Sequence, residues 1–239
     1  MKKVLWIIGL LLACTGVSQA ACSSTTIGSS VVCVQVTNCS STTSAVCTFG
    51  ANNTASNTII LIGIAGGTGG SVSVADSRNS YTAKMNITIS ATDKMYVWEA
   101  DSIGSGANTV TFTITGGTQT DFYAIELSGL ATGAYDASSS GSQSGSSTSL
   151  TTGTSGTTAF SNETVLAVYG AGHAPTVSTG YTQLGAYVFG AFDEVDFLSV
   201  TSKGTQIGNS TQSPASNYWG VVFTLKAASQ PATGGSVLH

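Results

Sequence analysis

The sequence predicts an all-β protein, an antiparallel β-sandwich or jelly roll. Three observations carry this expectation. Strand-like segments recur at roughly 8–15-residue spacing with Gly, Ser, Thr and Asn between them. Residues 108–115 (NTVTFTIT) alternate with period two, placing Val110, Phe112 and Ile114 on one face and threonines on the other. Past the N-terminal segment, no apolar stripe at helical spacing extends over about ten residues.

The N-terminus reads as an export signal. Met1-Lys2-Lys3 is basic, residues 4–13 (VLWIIGLLLA) are apolar, and Thr15 to Ala20 supply a short polar stretch ending in small residues. Cleavage after Ala20 is expected, leaving a mature domain over 21–228 and a polar tail over 229–239. A competing reading takes Leu11-Leu12-Ala13-Cys14 as a lipobox, with Cys14 lipidated and the chain anchored to a membrane. Either cut removes Lys2 and Lys3, so Lys+Arg falls from 7 to 5 against 11 acids and the net charge is near −6.

Both cuts leave four cysteines able to pair, Cys22, Cys33, Cys39 and Cys47. An even count in an exported chain predicts two disulfides. If 31–36 and 45–49 form a hairpin, Cys33 pairs with Cys47 and Cys22 with Cys39. A four-cysteine zinc site is disfavoured, because no Cys-x-x-Cys occurs.

Further strands are expected at 57–65, 71–75, 80–84, 94–100, 121–128, 164–169, 181–188, 195–201, 205–208 and 218–225. Those at 57–65 (NTIILIGIA), 164–169 and 218–225 are nearly continuous apolar runs, as for strands covered on both faces. Residues 137–158 (ASSSGSQSGSSTSLTTGTSGTT) are of low complexity. They read as a long loop or solvent-exposed edge strand within one domain, because the strands that follow need partners to cover them.

Composition limits the function classes. Only 8% of the 239 residues are charged, the pI is ≈ 4.8 and about 70 residues are Ser or Thr. This disfavours nucleic-acid and polybasic membrane-surface binding. The mean hydropathy of +0.26 disfavours disorder. Of the two histidines, His239 ends the sequence and His173 reads as a turn residue, and no Gly-x-Ser-x-Gly elbow exists.

Acids and aromatics gather in one place. In 194–197 strand alternation puts Glu194 and Asp196 on one face, near Tyr187, Phe189 and Phe192. Three readings follow. The rings stack on sugars while Glu194 and Asp196 accept hydroxyl hydrogen bonds; or Asp193, Glu194 and Asp196 hold Ca²⁺; or the rings are core and the acids a solvated face. Trp98, Trp219, Tyr96 and Tyr218 read as core.

Residues 73–82 (SVADSRNSYT), Trp98-Glu99-Ala100, 108–112 (NTVTF), 124–130 (AIELSGL) with Asp136, and 219–227 (WGVVFTLKA) resemble an extracellular β-sandwich module of bacterial surface and secreted proteins, sometimes appended to glycoside hydrolases. The resemblance implies a jelly-roll or immunoglobulin-like sandwich and a role in adhesion or glycan contact, with no catalytic residues to carry over. The expectation is a secreted or surface-attached, non-catalytic binding or structural module. Its partner would be a polysaccharide or cell-surface glycan, and its compartment periplasmic or extracellular. Two alternatives belong to other classes: a carbohydrate-active hydrolase using paired carboxylates such as Glu194 and Asp196, and a self-assembling surface-layer or filament subunit.

Overall fold

A computed structural model describes residues 19–20, 22–27, 30–67, 70–117, 119–188 and 192–228. Residues 1–18 of the expected leader, Cys14 among them, Phe189 and the C-terminal tail lie outside the described residues, while Gln19 and Ala20 at the leader's end are described. Fifteen strands are described: β1 (Gln19–Ala20), β2 (Ser23–Thr26), β3 (Val32–Ser41), β4 (Ser44–Thr48), β5 (Thr58–Gly66), β6 (Ser71–Ala75), β7 (Thr82–Thr88), β8 (Lys94–Ala100), β9 (Thr109–Thr115), β10 (Gln119–Ser128), β11 (Leu130–Thr151), β12 (Glu163–Ala171), β13 (Thr182–Val188), β14 (Phe192–Val200) and β15 (Asn209–Ala227). All pairings between them are antiparallel. The all-β antiparallel sandwich is therefore present, and no strand forms over 205–208.

The sandwich has three layers where the sequence suggested two facing sheets. One six-stranded sheet runs β1-β13-β14-β12-β15-β11, the second β2-β3-β10-β5-β8-β7, and a small third sheet β4-β9-β6. The second sheet is the middle layer. On β5, Ile60, Ile62 and Ile64 point into the core shared with the first sheet, while Ile59, Leu61 and Ala65 point into the core shared with the small sheet. This explains the unbroken apolar run of 57–65: a strand covered on both faces has no solvent side to alternate with. Each such Ile or Leu contributes about 2 kcal/mol by leaving water. Gly63 interrupts the run because a Cβ there would meet the Phe122 ring at 2.8 Å and Trp98 at 3.2 Å. Tyr96, Trp98, Phe112 and Phe122 stack together in this second core.

The low-complexity run becomes β11, at the edge of the first sheet, paired with β15. Its continuation lies over the first sheet without strand geometry. Thr152, Ser155 and Thr158 donate their N–H groups to the carbonyls of Gly208, Gln206 and Gly204. Their hydroxyls accept the N–H groups of the same three residues. Every third residue is thus buried and doubly bonded. Gly153 and Gly156 let this segment lie directly against β11, where a Cβ would meet the carbonyl oxygens of Ser142 at 2.7 Å and Ser138 at 2.1 Å.

Two disulfides form, but with different partners from those expected. Cys22 pairs with Cys33 (Cα–Cα 5.9 Å) and Cys39 with Cys47 (5.2 Å). The reason is the position of the turn. β3 continues to Ser41 and reverses at residues 42–43, several residues later than the assumed hairpin, so Cys39 and not Cys33 comes opposite Cys47. Cys22 immediately precedes β2, which pairs with β3, the strand that carries Cys33. Two bridges fit an oxidising compartment, extracellular or periplasmic.

Candidate functional site

The acids at 193–196 are placed by β14. Alternation holds: Asp193, with Val195 and Phe197, faces the middle sheet, and Glu194 and Asp196 face the other way. That other face is not solvent. It is roofed by residues 152–158, 173–181 and 204–208, over a cluster of Leu150, Ala167, Tyr169, Ala171 and Tyr218 with Tyr181 packed against it. Glu194 and Asp196 are 3% and 0% exposed. Asp196 accepts the Ser178 N–H at 2.7 Å, and Glu194 accepts Gln183 Nε2 at 3.1 Å. Ser178 also donates to the Tyr169 hydroxyl.

Glu194 and Asp196 therefore lie beneath this roof, and Asp193 points through the opposite face of β14. Among the described residues no three His, Cys, Asp or Glu side chains gather as a metal site. Tyr187 lies opposite Asp193 in the β13–β14 register and Phe192 opposite Val188.

Asp193 meets Asp121 of β10 across the first core. Both are buried, and Asp193 Oδ1, Asp193 Oδ2 and Asp121 Oδ1 find no hydrogen-bond donor. Burial, reinforced by the charge of its partner, pushes Asp193 well above the ordinary carboxylate range, and burial raises Asp121 to about 7. Burial and Asp196 raise Glu194 to about 8; burial likewise raises Asp196, against the Ser178 hydrogen bonds that lower it.

The other acids fix loops. Glu126, fully buried, accepts four donors: Gln35 Nε2 at 2.6 Å, Asn53 Nδ2 at 2.7 Å, Thr54 N at 2.8 Å and Asn57 Nδ2 at 2.6 Å. It ties the 49–57 loop to β10 and β3. Asp76 does the same for the SRNSY loop, accepting Arg78 N, Asn79 N, Asn79 Nδ2, Tyr81 Oη and Asn108 Nδ2. The Arg78 guanidinium donates to the carbonyls of Ala107 and Ser105. Glu99 accepts Ala134 N, Tyr135 N and Lys84 Nζ, and Asp101 accepts Gly133 N, joining the middle sheet to β11. Asp76, Glu99 and Glu126, acids within the motifs that carried the sequence resemblance, thus serve as structural clamps. His173 sits at a bend and donates its N–H to Gln212 Oε1.

The site that sequence reading missed is a cleft of about 700 Å³ at one end of the sandwich. The β7–β8 turn (Ser90 to Asp93) forms one wall. Ser144 and Gly145 of β11, Gly170 to Gly172 at the end of β12, and Ser216 to Trp219 of β15 form the rest. Trp219 lies against Gly170, where a Cβ would sit 2.2 Å from the indole. Tyr218 packs beside Gly145 and Ser216 beside Gly172 in the same way. Asp93 is oriented by the hydroxyls of Ser90 and Thr92. Among the described residues the wall is thus one acid, hydroxyls, one amide and two aromatic side chains, with no Lys, Arg or His. The signal in the sequence is the pairing of Gly-x-Gly (170–172) with Ser-Asn-Tyr-Trp (216–219), which becomes visible only once β12 and β15 are in register.

Comparison of the chain with family models, with curated proteins and with solved structures returns no match.

Proposed function

We propose that this chain is an exported, non-catalytic binding module that takes a neutral polyhydroxylated ligand, a glycan segment, in the cleft between the β7–β8 turn and the ends of β11, β12 and β15. The carrying observation is the chemistry of that wall. Ser90, Thr92, Ser144 and Ser216 offer hydroxyls, Asn217 an amide and Asp93 a carboxylate, beside Tyr218 and Trp219. Such walls exchange hydrogen bonds with sugar hydroxyls and give little to an ionic partner. The two disulfides support export to the periplasm, the medium or the cell surface. The burial of Glu194 and Asp196 weighs against the hydrolase alternative.

Isothermal titration with a panel of neutral oligosaccharides tests this. At least one should bind, and Asn217→Ala or Asp93→Ala should weaken it about tenfold, the loss of one good polar contact. Absence of binding across the panel, or release of new reducing ends, would overturn the reading.

A further inference from the structure

The chain has 11 acidic residues. Seven have ordinary donors: Glu126, Asp76, Asp93, Glu99, Asp101, Asp136 and Glu163. The other four stand as two deeply buried neighbouring pairs, Asp121 of β10 with Asp193 of β14, and Glu194 with Asp196 on one face of β14. Two carboxyl groups side by side at that depth are held most cheaply with a proton on one of them. Asp121 Oδ1, both Asp193 oxygens and Asp196 Oδ1 are buried and accept nothing from the described donors. Two naked carboxylates at that depth would repel strongly with little solvent to screen them.

We propose that this fold is held together by shared protons: two buried carboxyl pairs, Asp121–Asp193 and Glu194–Asp196, make it most stable in acidic surroundings and loosen it as the medium turns neutral to alkaline. Asp121–Asp193 gives way at the greatest cost, because it joins the middle sheet to the first sheet inside their common core. Glu194–Asp196 follows, under the 173–181 roof.

The groups facing each bridge offer few positive charges in compensation. Asp121–Asp193 faces Tyr123, whose hydroxyl donates to the Asp193 carbonyl. Glu194–Asp196 faces Gln183, Ser178, Tyr169 and Tyr181; burial first, then Asp196, raises the Tyr181 phenol to about 12, so it stays neutral. The other raised acids have ordinary partners: Lys84 lies 3.2 Å from Glu99 Oε2, and Glu163 accepts the Phe160 N–H.

The sign follows from linkage. Burial, the largest cause in each case, raises Asp193, Asp121, Glu194, Asp196, Glu99 and Glu163 in the folded chain above their unfolded values of about 4. The native state then binds more protons than the unfolded one. That stability is complete below about pH 4 and is lost as pH rises through 7 to 8, the values for Asp121 and Glu194. Asp76 and Asp136 oppose this. Burial raises them, but hydrogen bonds from Tyr81, Asn79 and Arg78, and from Ala159 and Ser138, outweigh it and hold them low. Their contribution disappears as pH falls below the usual range, which sets a lower bound on the optimum.

Thermal unfolding of the oxidised protein at constant ionic strength, from pH 4 to pH 8.5, tests the proposal. Tm should fall by about 10 °C or more across that range. Asp193→Asn and, separately, Glu194→Gln should each flatten the fall, since each removes one proton-binding group. A Tm that is flat or rises toward pH 8.5 in the wild-type protein would overturn the proposal. So would a fall unchanged in a folded Asp193→Asn or Glu194→Gln variant. Abolition of the fall by millimolar calcium would also overturn it, because a cation would then be the bridging group.

Discussion

Glu126 and Asp193 lie at similar depth, 0% and 2% exposed, and the molecule neutralises them by opposite means. Glu126 sits where β10 meets a loop rich in Asn and Gln, and four donors converge on its two oxygens. Asp193 sits where two sheets meet, and the described donors supply nothing to either oxygen. The difference lies in what can reach each place. A loop end carries free backbone N–H groups and flexible amides, whereas the space between two hydrogen-bonded sheets has its N–H groups already used in the ladders. An acid between sheets is left with another acid, and the proton they share stands in for the missing donors.

The largest effect should come from breaking the donor-rich side. Glu126→Ala orphans Gln35, Asn53, Thr54 and Asn57 at once, and urea denaturation should show a loss of about 4 kcal/mol. Asp76→Ala removes a carboxylate with a comparable set of donors in a half-exposed loop. Solvent screening reduces the loss to about 1.5 kcal/mol near neutral pH. Because that carboxyl is held low, the loss should shrink as pH drops below the ordinary carboxylate range. Thr152→Val removes one acceptor from the roof over Glu194 and Asp196 and leaves the Gly208 N–H unpaired; about 1 kcal/mol should be lost without pH dependence. The smallest change should come from Asp193→Asn at pH 4.5, under about 1 kcal/mol, since an amide replaces a protonated carboxyl. At pH 8 the same variant should be the more stable of the two proteins.

Much of the architecture was legible because period-two alternation and unbroken apolar runs report how many faces of a strand are covered. The Val110, Phe112 and Ile114 face of β9 and the two-sided burial of β5 follow directly. The cysteine pairing was missed by the position of one turn: β3 runs on through Thr37, Asn38, Ser40 and Ser41, a polar stretch with little strand signal that pairing with β10 imposes. The acids failed differently. Alternation put Glu194 and Asp196 on one face, as observed, but could not show that this face is covered. Its cover is made of Ser, Thr and Gly, which read as a hydrated surface. The order lies in a three-residue spacing, Thr152, Ser155 and Thr158, each followed by a residue small enough for close approach. The cleft was illegible because its walls come from three strands and a turn far apart in sequence.

The most direct measurement is infrared spectroscopy of the carboxyl band at pH 6, comparing the wild-type protein with Asp193→Asn. Shared protons require absorption from protonated carboxyl groups two units above their ordinary titration range, with the variant losing a share of it. A spectrum at pH 6 showing only ionised carboxylates, identical in the two proteins, would contradict the account.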